Sequence, residues 1–129
     1  MMDKADIKKR LAELNFLKTE YWLITGAAMV LHNLRLTTND IDLGCSSTLA
    51  DKLEKEGYPI SIMNDGTRKI FFAEDIEIFE DWIFDRVEIL DGIPTISLKG
   101  LLEMKKNLGR EKDFEDIILI EDFLFKEHK

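Results

Sequence analysis

The sequence predicts an α+β (mixed α/β) fold in which a small mixed β-sheet is flanked by helices. Apolar residues recur with helical spacing near both ends of the chain, over residues 4–14, 97–108 and 111–126. Between these stretches, short apolar runs of strand length alternate with glycine, asparagine and aspartate turn signals. A length of 129 residues fits one domain, so we expect a single domain over residues 1–129.

The elements of the first third follow from local patterns. Residues 4–14 are predicted as an amphipathic helix, and residues 21–24 as a short buried strand. Gly26 then lets the backbone turn into a compact helix over residues 27–34. The next strand is predicted over residues 40–43.

The remaining elements are bounded by recognisable caps. A serine and threonine cluster beginning at Ser46 precedes a helix over residues 49–56, which stops at Gly57. Strands are predicted over residues 59–63, 69–72, 76–79 and 86–90. Two closing helices, separated by Gly109, cover residues 97–108 and 111–126. The last helix has more apolar residues than one buried face needs, which predicts a homodimer or a partner-protein contact through it.

Composition and charge narrow the classes of function. With 45% apolar and 34% charged residues, the composition is that of a soluble globular protein. The net charge of −8 opposes unspecific binding to nucleic acid. No apolar run approaches the roughly 20 residues of a membrane span, and the N-terminus lacks an apolar signal core. The single cysteine, Cys45, cannot form an internal disulfide. We therefore expect a cytoplasmic protein without membrane association.

The charges are unevenly distributed along the second half of the chain. Residues 74–91 are strongly acidic, whereas residues 99–112 are basic. This pattern fits a metal site beside a phosphate site, but on charge alone two solvated faces of opposite sign are the favoured interpretation.

Asp40 and Asp42 form the most informative acidic pair. On a strand, residues i and i+2 project to the same face, so the two carboxylates stand side by side within reach of a hard divalent cation. Acid-x-acid pairs recur elsewhere in this acidic chain, for example at Glu54 and Glu56. Only the first pair follows a strand–glycine–helix unit, and this context makes it a candidate metal site.

Two ordered blocks of residues carry a family resemblance. The first block is Thr25-Gly26, His32-Asn33, Arg35, Thr38 and Asp40-Ile41-Asp42, and the second is Leu101-Leu102-Glu103-Met104-Lys105, Gly109-Arg110-Glu111-Lys112-Asp113 and Asp116. Their order and spacing resemble the nucleotidyltransferase superfamily with the polymerase-beta-like fold, especially small relatives of the AbiEii toxins and of the antibiotic nucleotidyltransferases. The resemblance covers residues 21–116 and implies a nucleotidyltransferase-like fold.

The resemblance also implies a third carboxylate on a later strand. Glu77 matches the position best, although the family usually has aspartate there, and Asp75 is the alternative. Two further positions differ from the family pattern. Thr25 stands where the family usually has a glycine, and Asn33 where a second glycine often follows the histidine. Thr25 supplies a hydroxyl but restricts the backbone more than glycine does.

The implied chemistry is metal-dependent transfer of a nucleotidyl group from a nucleoside triphosphate such as ATP. Two Mg²⁺ ions, or Mn²⁺, would lie at Asp40, Asp42 and Glu77, and Glu77 would also help to deprotonate the acceptor hydroxyl. The nucleotide would contact six further residues: Thr25, Gly26, Arg35, Lys105, Arg110 and Lys112.

Several of these residues have structural alternatives. Lys105 could equally be an exposed lysine on the outer face of its helix, and Arg35 could orient Asp40 or point outward. Asp113 is better explained by an ion pair with Arg110 or Lys112 than by catalysis. His32 is predicted as a core or capping residue. Trp82 is predicted as a core or interface residue, with a position beside a nucleobase as the alternative.

Two functions of different class follow. The first is a minimal Mg²⁺-dependent nucleotidyltransferase whose acceptor hydroxyl belongs to a tRNA end, a protein or a small molecule. The second is a catalytically silent module of the same fold that binds a nucleotide or a protein partner, as in toxin–antitoxin systems. An acidic antitoxin that masks a basic toxin is a weaker third hypothesis.

Overall fold

The structure, a computed structural model, describes residues 1–127, with the backbone alone for Glu127. In chain order its elements are α1 (Lys4–Ala12), β1 (Tyr21–Ile24), α2 (Thr25–Leu31), β2 (Ile41–Cys45), α3 (Ser47–Lys55), β3 (Ile60–Ile62), β4 (Arg68–Ala73), β5 (Ile76–Glu80), β6 (Val87–Leu90), β7 (Ile93–Ile96), α4 (Leu98–Leu108), a 3-10 helix (Glu111–Asp113) and α5 (Phe114–Glu127).

The seven strands form one mixed sheet in the order β3-β4-β5-β2-β1-β7-β6. β2 is parallel to β5 and β1 is parallel to β7, while the other neighbouring pairs are antiparallel. In the β2–β5 pair, Asp42 lies opposite Glu77. Two predicted site carboxylates are therefore neighbours across the sheet. The mixed sheet with flanking helices confirms the predicted fold class.

Alternation along the central strands separates a buried face from a partly exposed one. Ile41, Leu43 and Ile78 have no exposed surface, whereas the intervening Asp42 and Glu77 are half-buried. Successive side chains of a strand point to opposite faces, so the core residues and the carboxylates lie on different sides of the sheet. Helix α2 packs against β1 and β2, and α3 packs against β4.

The helix boundaries follow local capping chemistry. Ser46 and Ser97 cap α3 and α4, where their hydroxyls accept hydrogen bonds from the backbone N–H groups of Leu49 and Gly100. Gly109 ends α4 in the left-handed region at φ 57°, a conformation that glycine adopts readily. The predicted stop at Gly109 and the predicted cap at Ser46 are thus confirmed.

The structure differs from the predicted elements at several places. Strand β2 covers Ile41–Cys45 rather than residues 40–43, so Asp40 precedes the strand instead of lying on it. Strand β7 was not predicted; it forms a hairpin with β6 and runs parallel to β1. Pro94 lies within it, and proline usually argues against an interior strand because it donates no ladder hydrogen bond. Helix α2 begins at Thr25 rather than Ala27. The predicted helix over residues 111–126 begins with a 3-10 turn, and α5 starts only at Phe114.

Candidate active site

One pocket of about 670 Å³ gathers all the residues that the sequence analysis assigned to the site. They come from the start of α2, the segment before β2, β2 itself, β5 and the segment around the end of α4: Thr25, Gly26, Arg35, Asp40, Asp42, Glu77, Lys105, Arg110 and Lys112. Carboxylates and cations that are distant in the chain therefore share one cavity. The pocket also contains Lys69 and Phe79, which were not predicted for the site, and Trp82, for which a position beside a nucleobase was the alternative.

Asp42 is a half-buried carboxylate whose surroundings disfavour its charge. Burial raises the pKa of Asp42 above its usual value, and the negative charges of Asp40 and Glu77 raise it further. A hydrogen bond from Thr25 and the positive charge of Lys69 act in the opposite direction. The three carboxylates therefore influence one another within the pocket. A carboxylate perturbed in this way inside a cleft is a candidate functional group.

Thr25 connects the start of α2 to this carboxylate. Its backbone has φ 51°, in the left-handed region that a β-branched residue rarely adopts. The hydroxyl Oγ1 donates a hydrogen bond to Oδ2 of Asp42 at 2.7 Å. Thr25 thus keeps the left-handed backbone that glycine would adopt without strain, and it adds a side chain that orients the carboxylate.

Gly26 lies where the chain passes close to the segment before β2. A Cβ atom at this position would stand 2.6 Å from Oγ1 of Thr38, which is closer than real Cβ contacts. That hydroxyl donates to the backbone carbonyl of Asp40 at 3.1 Å. The absence of a side chain at Gly26 therefore lets the helix start lie directly against the Asp40 segment.

Glu77 already has a cationic partner. Nζ of Lys69, on the adjacent strand β4, lies 3.1 Å from Oε2 of Glu77. The alternative third carboxylate, Asp75, does not line the pocket; it binds Arg10 through two hydrogen bonds of 2.8 and 3.1 Å. The hydrogen bond from Arg10 lowers the pKa of Asp75. Glu77 is thus the carboxylate that the fold places beside Asp42.

The oxygen donors of the pocket suit a divalent ion, but they do not form a three-residue cluster. Among residues 1–127, no group of three or more histidine, cysteine, aspartate or glutamate side chains is arranged to hold a metal ion. Mg²⁺ is commonly bound by one or two carboxylates, with waters and substrate phosphates supplying the other ligands. The carboxylate oxygens of Asp40 and Asp42 are the kind of ligand that one such ion needs. Glu77, in contrast, is paired with Lys69.

A second wall of the pocket is a charge network built around three buried side chains. Nζ of Lys105 lies 2.9 Å from Asp116 and 3.4 Å from Asp113, and all three side chains are at most 4% exposed. Arg35 donates to both carboxylate oxygens of Asp116 at 2.6 Å. Arg110 donates to both oxygens of Asp113 at 2.7 and 3.0 Å. Three cations surround two carboxylates, so the wall keeps an excess positive charge toward the pocket.

These contacts decide between several alternatives. Lys105 is buried, so the interpretation as an exposed lysine is wrong. Asp113 pairs with Arg110, as its ion-pair interpretation predicted. Burial acts to raise the pKa of Asp113, but the hydrogen bond from Arg110 and the charge of Lys105 outweigh it, and the pKa is lowered. The guanidinium of Arg35 donates to Asp116 and not to Asp40, and the residue is exposed, as its second alternative predicted.

Two aromatic rings form another side of the pocket. The rings of Phe79 and Trp82 lie 4.5 Å apart between centroids and are tilted by 31°. The indole N–H of Trp22 donates to the backbone carbonyl of Trp82 at 2.8 Å. A Cβ atom on Gly44 would meet the Trp22 indole at 2.0 Å, so glycine is needed there. The position of Trp82 thus depends on two residues that carried no recognisable site signal.

Two solved structures resemble this chain over most of its length. LnuA, a lincosamide antibiotic adenylyltransferase solved with lincomycin bound, is 18% identical with a TM-score of 0.57, over 88% of this chain and 95% of LnuA. A provisionally assigned nucleotidyltransferase from Thermotoga maritima is 16% identical with a TM-score of 0.60, over 97% of this chain and 96% of that protein. The chain has a nucleotidyltransferase-like fold. No family model and no curated protein matches its sequence.

The nucleotidyltransferase-like fold confirms the resemblance that the two motif blocks predicted, at the level of fold.

Within this fold, His32 follows α2, and its Nε2 lies 2.8 Å from the backbone oxygen of Ile96, in agreement with its predicted capping or core role. On α5, Phe114, Ile118 and Leu119 are exposed. No helix within residues 1–127 is long and apolar enough to cross a membrane.

Proposed function

We propose that this protein is a minimal nucleotidyltransferase that moves a nucleoside monophosphate from a nucleoside triphosphate to an acceptor hydroxyl. The observation that carries the proposal is the pocket in which carboxylates face a cationic wall, within a nucleotidyltransferase-like fold. A triphosphate needs both: a divalent ion on the carboxylates and positive groups beside the phosphate oxygens.

In this proposal Asp40 and Asp42 bind a divalent ion, Mg²⁺ or Mn²⁺, together with the phosphates of the nucleotide. When bound, such an ion would stabilise the charge that develops while the acceptor oxygen bonds to the α-phosphorus and the bond to pyrophosphate breaks. Glu77 accepts the proton of the acceptor hydroxyl. The second ion implied by the family resemblance would also need Glu77, whose carboxylate lies 3.1 Å from the Lys69 ammonium.

The cationic wall is proposed to hold the triphosphate. Arg35, Arg110 and the exposed Lys112 reach the pocket and offer N–H donors to phosphate oxygens. Lys105 acts differently, because its ammonium is buried between Asp113 and Asp116. It holds the two carboxylates to which the arginines are bound, and it therefore positions the arginines. Thr25 and Gly26 place the start of α2 beside the phosphates.

We propose a small-molecule acceptor for the reaction. The net charge of −8 opposes the approach of a tRNA, and LnuA, which shares the fold, is an adenylyltransferase of lincosamide antibiotics. Trp82 and Phe79 would offer an apolar surface to such an acceptor or to the nucleobase. A toxin–antitoxin role, a cytoplasmic location and an α5-mediated partner contact remain predictions from the sequence.

A second candidate function is a silent module that binds a nucleotide without transferring it. The Lys69–Glu77 ion pair favours it, because the glutamate that would serve the acceptor hydroxyl already has a cationic partner.

Thermal unfolding with Mn²⁺ and each nucleoside triphosphate tests the proposal. We expect stabilisation by metal and nucleotide together, its loss in Asp42→Asn, and transfer of an α-labelled phosphate to a hydroxyl compound. Glu56→Gln is the matched control, because Glu56 belongs to another acid-x-acid pair and is exposed. Binding without any transfer would support the silent module, and no stabilisation by any of the four nucleotides would reject both functions.

A further inference from the structure

Lys69 lies among the carboxylates of the pocket, although no motif pointed to it. In the β4–β5 ladder, Lys69 pairs with Phe79 and Phe71 pairs with Glu77, so Lys69 and Glu77 are diagonal neighbours on one face of the sheet. This geometry brings Nζ of Lys69 to 3.1 Å from Oε2 of Glu77. The positive charge of Lys69 also acts to lower the pKa of Asp42, against the effect of Asp40 and Glu77.

Two aromatic rings restrict the position of this ammonium group. Nζ of Lys69 lies 5.1 Å from the ring centroid of Phe71 and 5.5 Å from that of Phe79. Cation–π contacts at such distances favour the charged group over the ring faces. The Lys69 and Glu77 side chains are only 27% and 36% exposed. The ion pair is thus held by its surroundings, unlike a surface pair between two mobile side chains.

The charges of the pocket add a second argument. Asp40, Asp42 and Glu77 carry three negative charges when ionised, and Lys69 contributes one positive charge. Within this cluster Lys69 balances Glu77 and leaves the charges of Asp40 and Asp42 for one divalent ion. A second divalent ion at Glu77 would have to displace Lys69 or accept a like charge at close range.

We propose that Lys69 is the resident counterion of the third carboxylate and takes the place of a second metal ion. The protein then loads one divalent ion, at Asp40 and Asp42, where two-ion enzymes load two. The inference rests on the proposed function, since it concerns the same pocket.

The number of bound ions tests the inference without measuring activity. Wild type, Lys69→Met and Lys69→Arg are crystallised with Mn²⁺ and an ATP analogue that is non-hydrolysable between the α- and β-phosphates, and the anomalous peaks in the pocket are counted. Electron paramagnetic resonance of Mn²⁺ gives the count in solution. Lys106→Met is the matched control, because it removes another ion pair, 3.5 Å from Glu121, on the surface.

We expect one ion in wild type, in Lys69→Arg and in the Lys106→Met control, and a second ion beside Glu77 in Lys69→Met. Two ions in wild type, or one ion in Lys69→Met, would overturn the inference while leaving the proposed function intact. No ion and no nucleotide in any of the proteins would reject the proposed function and the inference together. If Lys69→Met does not crystallise, the solution count decides.

Discussion

The hydrogen bond and the backbone strain at Thr25 can be measured separately by two substitutions. Thr25→Val keeps the branched shape and the left-handed backbone but removes the hydroxyl that binds Asp42. Thr25→Gly removes the hydroxyl and also relieves the strain of the left-handed backbone. Asp42 retains partial solvent access, so we take about 1.5 kcal/mol, the low end of the range for hydrogen bonds to charged groups. Thr25→Val is therefore expected to be destabilised by about that amount.

The glycine variant should lose less stability. A non-glycine residue in the left-handed region carries strain of about 1–2 kcal/mol, whereas glycine costs about 0.5–1 kcal/mol in chain entropy. The difference makes Thr25→Gly more stable than Thr25→Val by about 0.5–1 kcal/mol. For a domain of this size, about 1.5 kcal/mol corresponds to a fall in Tm of roughly 5–8 °C. Thermal and urea unfolding of the three proteins measure both differences.

The outcome can contradict either part of the reasoning. If Thr25→Gly is the less stable variant, the left-handed backbone of Thr25 carries no strain that glycine relieves. If Thr25→Val unfolds at the same temperature and urea concentration as wild type, the hydrogen bond to Asp42 makes no net contribution to the free energy of unfolding. Thr25→Ser is the control, because it keeps the hydroxyl and should remain close to wild type.

Two further predictions concern the charged walls of the pocket. Burial raises the pKa of Asp42 in the folded state, so ionised Asp42 destabilises the fold above that pKa and the penalty disappears as the pH falls toward 3.8. Asp42→Asn should thus have a higher Tm than wild type at pH 7, with a gap that narrows toward pH 4; a lower Tm at pH 7 would contradict this. Lys105→Met should lower the free energy of unfolding by about 3 kcal/mol in urea, because two buried carboxylates lose a partner while their arginines remain. Unchanged stability would show that the arginines suffice.

Local chemistry explains which elements the sequence could predict. The cap at Ser46 and the stop at Gly109 act within one helical turn, so their neighbours in the chain identify them. β7 escaped prediction because Pro94 opposes a strand locally. Its pairing with β1 and β6 overrides that preference, and only the assembled sheet supplies those partners.

For the pocket, the residue types were predictable but several of their partners were not. The spacing of Asp40 and Asp42, with the glycine turn before them, identified one wall from the chain alone. The pairing of Lys69 with Glu77 depends on the register of the β4–β5 hairpin, which shifts between Phe71 and Ala73, and the residue spacing within one strand does not encode that register. The burial of Lys105 likewise depends on the packing of α4 against α5.

The order of amino acids by itself determined the fold class, the nucleotidyltransferase-like motif blocks and the carboxylates and cations of the pocket other than Lys69. Periodicity and capping are short-range effects, so the sequence displays them directly. Tertiary structure alone decided which charges neutralise one another: Lys69 with Glu77, Lys105 with Asp113 and Asp116, and Arg35 with Asp116. Electrostatic interactions depend on distance in space and on burial, and neither is set before the sheet and helices pack.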